Sequence, residues 1–430
     1  MLKKIFFLMV AMTLIMTACS SGSSNKGGGK DDTKKGNNEI TAWAWDPKFN
    51  IAALKLAEAN YKDDQDFKLK VIENGQPDIV QKLNTGLSSG TMKGMPNIVL
   101  IEDYRAQSFL QAYPDAFYDL SQSFNPQDFA DYKIAPTSFN GKQYGLPFDT
   151  GVTGLYVRTD MLKDAGLSVD DVRDIDWDEF ISIGKTIRDK IGKGFLTLDP
   201  NDLGTIRMMI QSAGSWYLKE DGVTPNLADN EALKEAFRVY KTLLDEKIAV
   251  TTSDWSQFLA AFNNGDIAGV PTGNWITPSI KAEESQSGKW AVVPIPRLPI
   301  KGAVNASNLG GSSFYVLNID GKEKAADFLG KTFGSDKDFY QKLVKEVGAL
   351  GTYKPATEGE AYKSGDDFFG GQKVVEDFSN WMSQIPGVNY GMHTYAIEDI
   401  LVAEMQNYLS GKNIDDVMND AQKQAEAQLK

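Results

Sequence analysis

Cysteine and histidine are almost absent: the 430-residue chain has one of each, Cys19 and His393. A lone cysteine cannot close a disulfide within one copy, and the pair is too sparse for a Cys/His zinc site. Histidine-dependent catalysis would rest on His393 alone. Bases are also in deficit, with 45 Lys and Arg against 58 Asp and Glu for a formal charge of −13. A chain that gathers and neutralises phosphates needs a basic stripe, so nucleic acid is not the expected partner. After the first few residues no apolar run approaches the length of a bilayer span, and none is expected to cross one.

The N-terminus is where apolar residues do run together. Lys3 and Lys4 precede an apolar stretch from Ile5 to Met16, which ends in Met16-Thr17-Ala18-Cys19. A basic start, a short apolar run and small residues before a cut make residues 1–18 an expected signal peptide. Small residues before a cysteine resemble the lipobox of bacterial lipoproteins, in which the thiol is acylated and becomes residue one. Met16 replaces the commoner Leu. Cys19 is therefore the expected lipidation site, and several acyl chains hold a protein stably on a membrane. Ser20 to Asn38 contains Ser, Gly, Lys, Asp and Asn with no large apolar residue, so 19–38 is expected to be a lipidated cysteine and flexible tether.

From Glu39 strands and helices alternate. Ile40 to Trp45, Lys68 to Ile72 and Asn97 to Ile101 are strand-like, with a helix after Asp46-Pro47 and another from about Asp78 to Leu87. Asp46 suits an N-cap and Pro47 a first turn. Later strands are expected at Thr153 to Val157 and Phe314 to Leu317. Helices are expected at 176–190, 202–213, 230–247, 256–264, 322–334, 336–347, 395–410 and 414–428. Alternation of this kind predicts α/β architecture with a largely parallel sheet. Ligands of such sheets bind beyond the C-terminal strand ends, which directs attention to Trp45, Asp46, Glu73, Asn74, Glu102 and Asp103.

Four blocks carry a family resemblance: Ile40 to Trp45; Gly90 through Met95-Pro96-Asn97-Ile98-Val99; Tyr144-Gly145-Leu146-Pro147-Phe148-Asp149 with Leu155-Tyr156-Val157-Arg158-Thr159-Asp160; and Asp266 to Trp275 behind Gly265. In this order, behind a lipobox, the chain resembles the carbohydrate-specific extracellular solute-binding lipoproteins of ABC importers, the group that includes maltose-binding protein. Asn97 stands where that family usually has Asp. The resemblance implies a two-lobed periplasmic-binding-protein-like fold (type II) with a ligand cleft between lobes joined by hinge strands. Lobe one is then expected at 39–148 with 310–350, and lobe two at 151–308 with 352–430. The hinges would lie near Asp149–Thr150, Asn308–Gly311 and Gly351–Lys354, where Gly310 and Gly311 suit changing dihedrals.

Sugar recognition needs carboxylates or amides for hydroxyls and aromatic faces for the apolar side of the ring. The expected sugar-binding residues are Trp45, Asp46, Glu73, Asp103, Asp149, Trp216, Trp275 and Gly310, with Glu102 an alternative to Asp103; Trp255 and Trp381 are read as core or surface. The expected protein is a non-enzymatic monomer without cofactor or metal, on the extracellular face of a Gram-positive cell membrane. Its partners would be an oligosaccharide and the permease subunits of an ABC transporter. Two alternatives remain open at this point. One keeps the fold and changes the ligand to a polyamine, a peptide or an anion; the other is a lipid-anchored glycoside hydrolase working through two carboxylates.

Overall fold

The structure is a computed structural model that describes residues 39–429. The expected signal peptide, Cys19 and the tether lie outside the described residues. Among the described residues no helix is long and apolar enough to cross a membrane.

Ile98, Val99, Leu100 and Ile101 are apolar without interruption and are buried. A strand buried on both faces belongs in the middle of a sheet, and Ile98–Glu102 is the central strand of five. The order across the sheet is Lys68–Glu73, Glu39–Ala44, Ile98–Glu102, Ser312–Val316, Gly145–Pro147. The first three strands are parallel. Ser312–Val316 returns antiparallel to both of its neighbours.

Period-two alternation decides what covers each face. Ile40, Ala42, Ile98, Leu100, Phe314 and Val316 share one core with Leu54 and Ala57 of the helix Asn50–Asn60 and Phe328 and Leu329 of the helix Lys322–Lys331. Trp43, Val99, Ile101 and Tyr315 face the other way, onto Leu83 and Leu87 of the helix Gln76–Ser88 and Phe109 of the helix Asp103–Ala112. Because Glu39–Ala44 lies between Lys68–Glu73 and Ile98–Glu102, the chain reverses its direction of winding there. Such a reversal opens a crevice at the C-terminal strand ends.

The second sheet departs from the expected parallel pairing. Thr153–Arg158, buried along its whole length, is flanked antiparallel by Gly269–Gly273 and Trp290–Val293. Parallel pairing survives only at its margin. There Leu196–Leu198 pairs with Ala249–Thr251, and Gly194 and Phe195 bond alongside Ile267–Gly269. Alternation of strands and helices does not set strand direction when the partners of a strand are more than 100 residues away along the chain.

The helix after Asp46-Pro47 begins at Asn50, later than expected. Asp46 Oδ1 accepts from the backbone N–H of Lys48 at 2.8 Å and Phe49 at 3.1 Å. Asn50 Oδ1 accepts from those of Trp45 at 3.1 Å and Asp46 at 3.0 Å. These side chains hold residues 45–49 as a turn, and the helix starts where the turn ends. The expected helix 336–347 is α from Lys337 to Lys342 and then widens to a π turn, Leu343–Val347, before Gly348 ends it at φ 72°.

Three segments run between the sheets side by side. Asp149 pairs with Gly351, and Val152 with Asn308. Backbone bonds from Thr150 to Leu350 at 3.2 Å and from Leu309 to Gly151 at 2.8 Å complete the arrangement. Gly151 is required by the closeness of this packing, since a Cβ there would meet the Leu309 carbonyl oxygen at 2.2 Å. Replacing it must push the crossings apart. Gly151→Ala is expected to lower stability by about 2 kcal/mol or more, read from urea unfolding; an unchanged midpoint would contradict this packing account.

Candidate functional site

A cavity of about 1050 Å³ opens where the strand ends of the two sheets face each other. From the first sheet it receives Trp45, Asp46 and Glu102, each placed just beyond or at a C-terminal strand end. The crossings supply Asp149 and Leu309 to Ser312. From the second sheet come Asp199, Asp202 and Arg207 after one strand, Asp254, Trp255 and Phe258 after the next, and Trp275 after Gly269–Gly273.

One end of the cavity is aromatic. Trp275 Nε1 donates to the Leu309 carbonyl at 2.8 Å, which fixes the indole against the crossing. Gly310, at φ 88°, leaves room for it: a Cβ there would stand 3.2 Å from that nitrogen. Trp255 packs beside Trp275 with ring centroids 5.8 Å apart and is 52% exposed. Sequence reasoning ranked Trp255 low, as core or surface. An indole left half in water beside a second indole offers a flat apolar face to a ligand. The available signal was its place after the strand Ala249–Thr251, four residues on.

The other end is polar. Arg207, on the helix Gly204–Ser212, donates to Glu398 Oε2 at 2.7 Å and to Asp202 Oδ1 at 3.1 Å, and its guanidinium lies 5.1 Å over the Tyr104 ring. Burial opposes the charge of Arg207, but Glu398 and Asp202 outweigh it and hold the guanidinium above its usual pKa. Burial pushes the Glu102 carboxyl up, while the Tyr395 hydroxyl bonded to it and the nearby Arg207 and Arg105 pull it down. No candidate from the sequence included Arg207, Asp199 or Asp202, although all three follow the strand Leu196–Leu198.

The expected residues divide. Trp45, Asp46, Asp149, Trp275 and Gly310 line the cavity. Glu73, Asp103 and Trp216 are not among its lining residues. Glu73 ends the edge strand Lys68–Glu73 and is exposed. Asp103 is 1% exposed: its Oδ1 accepts from Ser313 Oγ at 2.8 Å and its Oδ2 takes the Lys133 ammonium. The helix begins at Asp103 and turns that carboxylate under the sheet, so its neighbour Glu102 faces the cavity. Trp216 is core, stacked on Tyr104 at 5.6 Å and 19° with its Nε1 donating to Thr394 Oγ1 at 2.9 Å.

Asp149 has a structural task as well. Its Oδ1 accepts from both the N–H and the hydroxyl of Ser312, at 2.7 and 2.6 Å, tying two crossings together. Burial raises its carboxyl to about 6, against the opposing pull of Lys133 and the Ser312 bonds and with the help of Asp103. A raised carboxyl binds its proton more tightly in the folded state, so its contribution to stability is present below about pH 4 and lost as pH rises to about 6. Asp149→Asn, which keeps the accepting oxygen, is expected to gain stability relative to the parent across that window and to hold a constant difference above it. Urea unfolding at several pH values from 4 to 7.5 measures this, and a difference independent of pH would contradict it.

Two sheets facing one cleft across paired crossings define a two-lobed α/β binding protein. Residues 56–370 match the family described as bacterial extracellular solute-binding protein. A lactose-binding protein of Rhizobium radiobacter is 44% identical over 393 residues, spanning 91% of this chain and 93% of that one. An arabinooligosaccharide-binding protein of Bacillus subtilis is 25% identical over 341 residues, spanning 77% and 75%. The sugar-binding protein MalE of Xanthomonas citri superposes with a TM-score of 0.75 at 16% identity, over 91% of this chain and 97% of that chain, which shows the shared fold. The chain belongs to the bacterial extracellular solute-binding protein family, and it is a binding protein rather than an enzyme.

Proposed function

We propose that the protein captures a neutral oligosaccharide, a galactoside such as lactose, outside the cell and delivers it to the permease subunits of an ABC importer. The observation that carries this reading is the cleft itself: paired tryptophans at one end and fixed polar groups at the other, in a chain 44% identical to a lactose-binding protein. Indoles cover the apolar face of a ring, and carboxylates take its hydroxyls with charge-assisted bonds. Transport is then mechanical. The ligand touches both lobes only when the cleft is closed, and its stronger binding to that state shifts the population toward it. The permease would recognise the closed shape, and its ATPase subunits would do the work.

In this reading lobe one is 39–148 with 310–350, lobe two is 151–308 with 352–430, and closure turns about the three crossings. Cys19 would carry the lipid that keeps a monomeric protein at the outer face of a Gram-positive membrane, with residues 20–38 as the tether. One observation favours a polyamine instead: Asp46, Glu102, Asp149, Asp199, Asp202 and Asp254 line the cavity against only Lys48 and Arg207 among the described residues.

Thermal unfolding with lactose, arabinooligosaccharides, maltose, spermidine and short peptides decides between them. A ligand at 100 times its Kd adds about 2.7 kcal/mol, which raises the midpoint visibly. A rise with a saccharide, recovered uncut, supports the reading; a rise only with spermidine or peptide overturns the sugar. Trp255→Ala is expected to weaken the saccharide about tenfold with little loss of stability, because the ring is exposed. Unchanged affinity would remove Trp255 from the binding surface.

A further inference from the structure

Arg207 is held unusually firmly for a residue on a cleft wall. Glu398, which fixes it from behind, is itself buried and accepts from the Tyr217 hydroxyl at 3.0 Å. In front, Asp202 Oδ1 takes both Arg207 and the Gly204 N–H, at 3.1 and 2.8 Å. Tyr104 closes the third side. Only 7% of Arg207 remains exposed, and the residue lines the cavity. Its buried Nε has no partner among the described residues, and a guanidinium offers more N–H donors than Glu398 and Asp202 use. Asp202 is 63% exposed in its side chain, so its carboxylate is open to the cleft.

A donor and an acceptor side by side, both immobilised, match two neighbouring hydroxyls of one sugar ring. The two carboxylates neutralise the guanidinium, so this pair does not favour an anionic sugar. We propose that Arg207 is a specificity-determining residue of the cleft, donating to one ring hydroxyl of a neutral galactoside disaccharide while Asp202 accepts from the next. The second ring then lies toward Trp255 and Trp275. This rests on the saccharide reading of the cleft. Rigidity is what turns the pair into a filter: a hydroxyl of the wrong configuration leaves a buried donor unpaired, and fixed side chains cannot move to mend it.

Calorimetric titration tests this with lactose, cellobiose and lactose analogues that each lack one galactosyl hydroxyl. The unmodified protein is expected to bind cellobiose, and one pair of the deoxy analogues, about tenfold or more weakly than lactose. Arg207→Lys is expected to weaken lactose about tenfold while erasing the penalty for one analogue of that pair. Asp202→Asn, at an exposed position that does not threaten folding, is expected to erase the penalty for the other. Deoxy penalties that survive in the variants overturn the proposal even if lactose is weakened, because that pattern marks a merely structural role. Unchanged lactose binding in Asp202→Asn, and in Arg207→Lys where it folds, also overturns it. If the unmodified protein ignores lactose but binds another saccharide of the wider panel, the proposal falls and the saccharide reading stands. If it binds no saccharide, both fall.

Discussion

The junction between the central strand end and the crossings, on which one wall of the cleft is built, depends on one buried ammonium. Lys133 is fully buried, and its Nζ donates to the Asp103 carboxylate and to the backbone carbonyls of Asp149 and Ser312, the last two at 2.9 Å. An unpaired ammonium in such a place would cost several kcal/mol, but here every N–H has an acceptor. The three acceptors belong to the helix that follows the central strand and to two of the crossings between sheets. Gly311, at φ 90°, lets the backbone pass close, because a Cβ there would meet Asp103 Oδ2 at 3.1 Å and Lys133 Nζ at 3.4 Å. One cation therefore sets the relation between the strand end that presents Glu102 and the crossings that present Gly310 and Asp149.

That knot explains a division of labour among acids that look alike in sequence. Asp103 spends both carboxylate oxygens on Lys133 and Ser313 inside the protein, while Asp149 gives Oδ1 to Ser312 and still lines the cavity. Glu102 and Asp202 stand at the cavity wall, each with one oxygen tied to a neighbour, Tyr395 for Glu102 and Arg207 with the Gly204 N–H for Asp202. Tryptophans divide in the same way. Trp216 is absorbed into a stack with Tyr104 and Tyr390, whereas Trp255 stays half in water. The cleft is thus made of the side chains that the core and the crossings leave over, held in place by those that they consume.

Much of the first sheet was legible because its signals are local. A short run such as Ile98 to Ile101, rich in β-branched residues, suits a strand buried on both faces, and the following acid then lies at the strand end. That Trp45 and Asp46 lie just after a strand was legible too; the switch in winding at Glu39–Ala44 that puts them at the crevice came only with the strand order. The second sheet was less legible, since Thr153–Arg158 meets partners whose direction no local pattern encodes. Arg207 was missed for the same reason: its carboxylate Glu398 is 191 residues away in the chain.

The sequence by itself determined the kind of protein: element order, the motif blocks around Tyr144 and Trp275 and the poverty of cysteine and histidine are all properties of neighbouring residues or of composition. Only the tertiary structure decided which acid lines the cavity and which is spent on Lys133, which indole is core and which stays exposed at the cavity, and that Arg207 stands in the cleft wall at all. The physical reason is distance along the chain. Local pattern sets strand and helix, but burial and pairing of a charged or aromatic side chain depend on partners brought together only when the two sheets and their crossings assemble.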